Sequence, residues 1–365
     1  MKVVIYMKLC EVDKTKLAPM MQHYVELKEK NMDTIILYRL GDFYEMFFED
    51  AELVSHELEL TLTGRNAGLE ERVPMCGVPH HAVDIYIDKL IKKGYKVAIC
   101  EQLEDPKNAK GIVKRDITEV ISSGSVISSN SLNEKENNYL ASIYHLDYCY
   151  ILTYTDITTG SCYGEIIEKN NELLINKVIY LNIKEIIANS SVPLEIINSL
   201  KNVYKLPITI TDNLYPDETY NYIYKDITDK RYITGIKHLI NYLIINLKRN
   251  VSHLEPIIIR KNNEYLSMDI HTKRNLELTE SMRNKERMYS LLWLLDETKT
   301  AMGSRKLRTW IENPLIDIDE INKRYEIVST LLEEFIQNEE LRKHLYNVYD
   351  LERLCGRLSL GTANA

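Results

Sequence analysis

The chain has 365 residues, 45% of them hydrophobic and 27% charged, enough apolar material for two or three cored domains. That composition excludes a disordered or fibrous chain over most of the length, and no run approaches the ~18 apolar residues of a membrane span. A net charge of −8 excludes a blanket basic coat while leaving room for local basic patches, and an N-terminal run that turns acidic early excludes a signal peptide.

In chain order, Leu17 to Lys30 reads as an amphipathic helix with Pro19 near its start. Thr34 to Tyr38 is an apolar run of strand length, and Gly41-Asp42 is a turn. The spacing predicts a helix over Phe43 to His56. Val73 to Val78, punctuated by Pro74, Gly77 and Pro79, reads as an ordered loop or a strand edge. Asp84 to Lys93 is helical, and Tyr95 to Cys100 is a strand. A small α/β domain then closes near Ile121.

Ser122 to Asn138 has the composition of a linker. Beyond it, Tyr139 to Tyr154 predicts two strands around Leu146-Asp147, and Cys162 to Ile167 a third. Gly235 to Asn250 predicts a strong helix with basic residues in its last turn. From about Glu255 long helices are expected over Thr272–Asp296, Lys299–Ile311 and Ile318–His344. The helical pattern stops without a closing element at Ala365, as a truncated domain would. The divisions drawn are therefore 1–125, 126–250 and 251–365.

The chemistry is narrowed by what is missing. None of the 13 glycines is followed by lysine, so the Gly-x-x-x-x-Gly-Lys-Ser/Thr loop that cradles nucleotide phosphates does not occur. The six cysteines, Cys10, Cys76, Cys100, Cys149, Cys162 and Cys355, form no Cys-x-x-Cys, which removes zinc-knuckle and thioredoxin-like chemistry and suits a reducing cytosol. Basic clusters lie between Lys89 and Arg115 and again at Lys299, Arg305, Lys306 and Arg308, and either would suit phosphate contacts or a solvated face. His80-His81 has no third ligand at metal spacing.

Tyr outnumbers Phe 25 to 4, yet Phe43, Phe47 and Phe48 fall within one short stretch, GDFYEMFF. Phe43 and Glu45, two apart, project toward one surface in an acidic neighbourhood with Glu49 and Asp50. A phenyl ring can wedge into a base step and a carboxyl can hydrogen-bond a base edge. The same spacing also fits a core phenylalanine beside a first-turn helix acid.

The segments LAPMMQHYVELKE, YRLGDFYEMFFEDA, LTLTGRN and VPMCGVPHHAVDIYIDKLIKKGYKVAICEQLEDP together resemble the N-terminal domain of the MutS DNA mismatch-repair family. LSMDIHTKRNLELTE, SLLWLLDETKTAMGSRKLRTWIENPL and DLERLCGRL resemble its core, or lever, domain. The resemblance implies a multidomain α/β plus all-α chain. Its parts are a small mixed α/β mismatch-binding domain, an RNase H-like α/β connector and an incomplete helical core. It further implies that Phe43 stacks on a mispaired or unpaired base from the minor groove and that Glu45 hydrogen-bonds that base. Arg65, Met75, Pro79 and His80 would then lie near the duplex backbone, as would Lys306 and Arg308 of the core, unless those two carry salt bridges between domains.

By the same resemblance the partners are double-stranded DNA with mispairs or small insertion loops, a MutL-type protein, and a second copy in a full-length dimer. Clamp and ATPase, with ATP and Mg²⁺, would lie beyond Ala365, so no enzyme activity and no cofactor are expected of these residues. The location implied is the bacterial cytoplasm, associated with the nucleoid. The first ten or so residues extend beyond the usual family start. A metal-dependent nuclease centred on Asp156 of the connector, or a scaffold that contacts only proteins, are the alternatives.

Overall fold

The computed structural model describes residues 9, 12–104, 113–127, 132–260, 264–266 and 268–362. Residues 1–8, Cys10, Lys107, Lys110 and part of the linker therefore lie outside the described residues. The chain divides into two compact units, 1–131 with 245–249, and 132–244 with 250–365.

In the first unit the elements follow as α1 (Pro19–Lys30), β1 (Thr34–Leu40), β2 (Phe43–Phe47), α2 (Phe48–Leu58), β3 (Thr63–Asn66), β4 (Arg72–Pro79), α3 (Val83–Lys92), β5 (Lys96–Gln102) and β6 (Arg115–Ile121). The six strands form one sheet in the order β3-β4-β2-β1-β5-β6. Only β1 and β5 are parallel, and the other neighbours are antiparallel.

The helix expected from Phe43 begins only at Phe48, because Phe43–Phe47 is a central strand. The apolar spacing of 43, 47 and 48 serves either state. Pairing on both sides decides it: Leu40 opposes Phe43 on β1, and Pro79 and Gly77 oppose Phe43 and Glu45 on β4. Aromatic residues also pack well on a pleated surface. Both ends of the strand are pinned by left-handed backbone, Gly41 at φ +57 and the buried Phe48 at φ +53. For a bulky residue that conformation costs on the order of 1–3 kcal/mol and persists only where packing imposes it.

The packing in question centres on Asp50. Its carboxylate accepts from Lys28 Nζ at 2.7 Å, Tyr24 Oη at 3.0 Å and the Ile36 amide at 3.1 Å, all buried. The Tyr24 ring stands edge-on to Phe47 at 5.0 Å and to Tyr38 at 5.8 Å. Burial pushes the Asp50 carboxyl above the usual carboxylate range despite the lysine. Helix α1, strand β1 and the β2–α2 junction are thus tied through one side chain.

The segment 245–249 closes the outer side of β6. The Val120 amide donates to Leu247 O at 3.2 Å, Arg249 pairs with Glu119, and Arg249 Nη2 donates to Ser125 O at 3.1 Å. It covers what would otherwise be a bare sheet edge.

The second unit opens with an antiparallel meander, β7 (Tyr139–Leu146), β8 (Cys149–Asp156) and β9 (Cys162–Glu168). Then come α4 (Asn171–Tyr180), β10 (Glu185–Ala188), α5 (Leu194–Asn198), β11 (Ile208–Ile210), α6 (Lys230–Asn241) and β12 (Ile258–Ile259). The sheet order is β11-β10-β7-β8-β9-β12, with β10 parallel to both β7 and β11. Every residue of β8 is buried, as expected of a strand covered on both faces. Helix α6 lies close on it because Gly235 has no side chain: a Cβ there would meet Ile151 Cγ2 at 2.8 Å.

In place of the single helix predicted to Asn250, α6 ends at Asn241 and a wider turn follows over Tyr242–Asn246. Inside α6, His238 is fully buried, with Nδ1 2.6 Å from Ser142 Oγ and Nε2 2.7 Å from Thr211 O. Burial holds its imidazole below the ordinary histidine range, and His253 is depressed for the same reason.

A group that is harder to protonate when folded supports stability above its unfolded pKa, ~6.5, and that support drains away as pH falls toward the folded value. The two histidines are therefore expected to lower the denaturation midpoint between pH 7 and 5, against the opposite push of the raised Asp50 and Asp156 carboxyls. The slope should amount to at most about 1.4 kcal/mol per pH unit for each histidine. His238→Gln should flatten that slope; an unchanged slope would refute the assignment.

The remaining helices are α7 (Ile270–Asn275), α8 (Leu291–Leu295), α9 (Ala301–Glu312), α10 (Ile318–Glu333), α11 (Phe335–Tyr346) and α12 (Leu351–Ser359). The long helix expected over Thr272–Asp296 is broken into α7 and α8, with Glu277, Lys285 and Tyr289 at positive φ between them. Leu276, Met282 and Met288 of its apolar stripe are exposed. Leu278 and Leu292 are nonetheless buried, so part of the stripe is covered without a continuous helix.

Helix α12 docks on the turn after β8. A Cβ on Gly356 would lie 2.3 Å from Thr158 O, so only glycine allows the approach. Arg353 Nη2 donates to Glu136 O at 2.6 Å, and Arg305 is forked onto Asp350 at 2.6 and 2.8 Å.

Candidate nucleic-acid interface

Along β2 burial falls off stepwise toward the turn. Phe47 is fully buried against Tyr24, Glu45 is intermediate, and Phe43, beside the turn, is 49% exposed. Because side chains two apart share one face of a strand, Phe43 and Glu45 emerge side by side. The predicted adjacency holds, and its cause is a strand period in place of a helix start. An exposed phenylalanine on a well-paired central strand gains nothing for the core, which makes its ring available to a ligand.

Glu45 is confined on two sides. Gly77 opposes it across β4, where a Cβ would come within 3.5 Å of Glu45 Cγ and 3.3 Å of Tyr44 O. Arg65 of β3 forms an ion pair with its carboxylate while the same guanidinium lies 5.9 Å from the Phe47 ring centroid. The acidic neighbourhood expected around Glu45 is dispersed. Asp50 is buried on Lys28, and Glu49 Oε1 accepts the Leu9 amide at 3.0 Å.

Met75 and Pro79 lie on β4 opposite Phe47 and Phe43, both intermediate in exposure. His80 follows them, exposed, with its amide donating to Asp42 O at 2.8 Å and its ring 5.9 Å from Tyr44. Phe43, Glu45, Arg65, Met75 and Pro79 therefore share one face of the first unit's sheet, whereas the His80 ring lies against Tyr44, which points to the opposite face.

Lys306 and Arg308 belong to the second unit and differ from each other. Lys306 is exposed. Arg308 is 8% exposed, with its guanidinium 2.9 Å from Glu136 and 3.2 Å from Glu312, so its charge is consumed internally. A backbone contact by Arg308 is contradicted by that burial. An arginine placed three or four residues from a glutamate on one helix face is the signal that foreshadows it.

Asp156 does not have the setting of a nuclease carboxylate. It is fully buried, and it accepts from the Thr158 amide at 2.9 Å, Thr158 Oγ1 at 2.6 Å and the Asn138 amide at 2.9 Å. Burial pushes its carboxyl above the usual range. Among the described residues no group of three or more His, Cys, Asp or Glu could hold a metal ion, and no helix is long and apolar enough to cross a membrane.

What the sequence reading missed is Arg65 as the partner of Glu45 and Gly77 as the space beside it. Neither is visible locally, since 20 residues separate Arg65 from Glu45. Glycine inside a strand is itself a sign of close approach.

Residues 18–130 match the family described as MutS domain I, and residues 271–365 match MutS domain III. The chain is 44% identical over 352 residues to the DNA mismatch repair protein MutS of Bacillus mycoides and to that of Bacillus cereus strain G9842. The same identity holds for the protein of that name from Bacillus thuringiensis strain Al Hakam. Each alignment takes in 96% of this chain and 40% of the relative, so the chain spans well under half of their length. With the two domain matches at either end and one continuous alignment across both, the chain belongs to the MutS family.

Proposed function

We propose that this chain is the mismatch-sensing portion of a MutS protein, and that it reads DNA by pressing Phe43 into a weakened base step. The observation that carries this is the emergence of Phe43, half exposed, beside Glu45 at the end of a central strand whose next aromatic, Phe47, is buried. A ring offered this way can stack on a base from the minor groove, and unstacking costs least where the pair is already broken. Glu45 then accepts a hydrogen bond from the displaced base edge. Arg65 and His80 stand near the duplex backbone, with Met75 and Pro79 flanking the ring, and Lys306 contacts phosphate from the core.

Further parts follow from the family. The meander with parallel β10 and β11 beside it, covered by α4 and α6, is read as the RNase H-like connector, and α8–α12 as the beginning of the helical core. Recruitment of a MutL-type protein, dimerisation around DNA, an ATP- and Mg²⁺-driven switch and a cytoplasmic, nucleoid-associated location are proposed for the longer protein. The switch is not assigned to these residues, which carry no nucleotide loop.

Anisotropy titration at stated low salt, with a duplex holding one unpaired thymine and with its perfect match, tests the reading. Phe43→Ala should remove stacking worth about 1–3 kcal/mol. It should abolish the preference and leave salt-dependent binding to the perfect duplex in place. A preference that survives the substitution would place recognition elsewhere.

A further inference from the structure

Glu45 poses an electrostatic difficulty. A carboxylate carried at the tip of a DNA-contacting hairpin is repelled by every phosphate it approaches, mispaired or not, unless something neutralises it. Among the charged residues described around it, Arg65 does so. Its Nη1 pairs with Glu45 Oε2, the two side chains are 34% and 16% exposed, and the ring of Phe47 lies beneath the guanidinium. The pair also holds the carboxylate toward β3. Gly77 leaves room for Glu45 to move, since it carries no side chain beside Glu45 Cγ.

We infer that Arg65 is a positioning residue that latches Glu45. In the free chain, and on a perfect duplex, the ion pair stays closed and presents no net charge. At a mispair, Glu45 leaves Arg65 for the base edge, and the released guanidinium takes a phosphate oxygen in its place. One charge-assisted contact is exchanged for two, and only where a base is available to accept the carboxylate. The inference rests on the proposed wedge reading and adds to it the element that neutralises the Glu45 carboxylate on ordinary DNA.

The latch predicts an asymmetry that a plain phosphate contact does not. Arg65→Gln frees an uncompensated carboxylate, so affinity for the perfect duplex should fall further than affinity for the unpaired-thymine duplex. Discrimination should therefore rise, by about threefold to tenfold at low salt. In a Glu45→Gln background the same Arg65→Gln substitution should lower both affinities equally. Arg65→Lys, which keeps the charge and loses the fork, should recover most of the wild-type ratio.

Equal losses on both duplexes in both backgrounds would overturn the latch and leave Arg65 as a backbone contact. The same titrations with Phe43→Ala judge the wedge reading separately, because a preference that persists there refutes that reading whatever Arg65 does. A third arm needs no DNA. Denaturation midpoints of the chain carrying Arg65→Gln, Glu45→Gln or both should be non-additive, as two paired groups require. Additive midpoints would show that the pair is absent from the free chain and would sink the latch even if neither duplex were bound.

Discussion

Asp50→Ala is expected to be among the most damaging single substitutions in the first unit, costing about 3–5 kcal/mol. Removing the carboxylate strands the Lys28 ammonium, which sits buried with Thr34 O, 2.7 Å away, as its remaining partner. It also withdraws the acceptor for Tyr24 Oη and for the Ile36 amide. The damage should concentrate where Asp50 ties elements together. Hydrogen exchange of β1 and β2 amides should accelerate while that of β7 and β8 does not.

Lys28→Met should be milder. Burial already drives the Asp50 carboxyl upward, so without its partner it can take up a proton and become neutral. The double replacement Lys28→Met with Asp50→Leu should recover much of the single-site loss, since removing both charges removes the stranded one. Equal costs for all three variants would refute a coupled pair.

The second large effect is set at Gly356, where the sign is the test. An alanine for glycine inside a helix ordinarily stabilises by ~1 kcal/mol. Here the added methyl would stand 2.3 Å from Thr158 O and 3.0 Å from Thr158 C, both backbone atoms held by the Asp156 turn. Neither side can yield without lifting α12 or breaking that turn. Gly356→Ala should therefore destabilise the second unit by about 2–3 kcal/mol. It should also loosen the Arg353 bond to Glu136 O and the Arg305 fork onto Asp350. A stabilised variant, as read from the denaturation midpoint, would mean that the close docking is not maintained in solution.

Much of the layout was legible because it is written in local period and punctuation. Pro19 opens α1, the apolar run after Thr34 is β1, and Tyr139 to Tyr154 folds into the hairpin its turn predicts. The GDFYE segment was recognisable as the candidate reader, and the shared face of Phe43 and Glu45 was foreseen for the wrong reason. Helix and strand both fit an apolar spacing of four, and only the flanking strands, distant in sequence, decide between them. The run of Thr272–Asp296 failed oppositely: its period is helical, but left-handed backbone at Glu277, Lys285 and Tyr289 breaks it, while Leu278 and Leu292 are still buried.

Charges were the least readable part, because their meaning depends on what lies across the fold. Glu45, Glu49 and Asp50 look like one acidic patch in sequence, and each is claimed by a different partner, Arg65, the Leu9 amide and Lys28. Arg305 and Arg308 look like half of a basic patch and are bound into carboxylates. Lys306 alone of those three remains at the surface.

The closure of β6 by residues 245–249 bears on how the sensing unit is made. Synthesis proceeds from the N-terminus at ~5–20 residues per second, and domains usually complete as they emerge. This one cannot, because its last edge is supplied only after the insertion 132–244 has been translated. A nascent chain halted before Ile245 would present β6 with its outer hydrogen-bonding groups unanswered and Glu119 without Arg249. The same holds for an excised piece ending at Ser131. Such an edge invites pairing with neighbouring chains, so the hairpin that reads DNA would be born on a sheet whose seal arrives late, folded together with the unit that interrupts it.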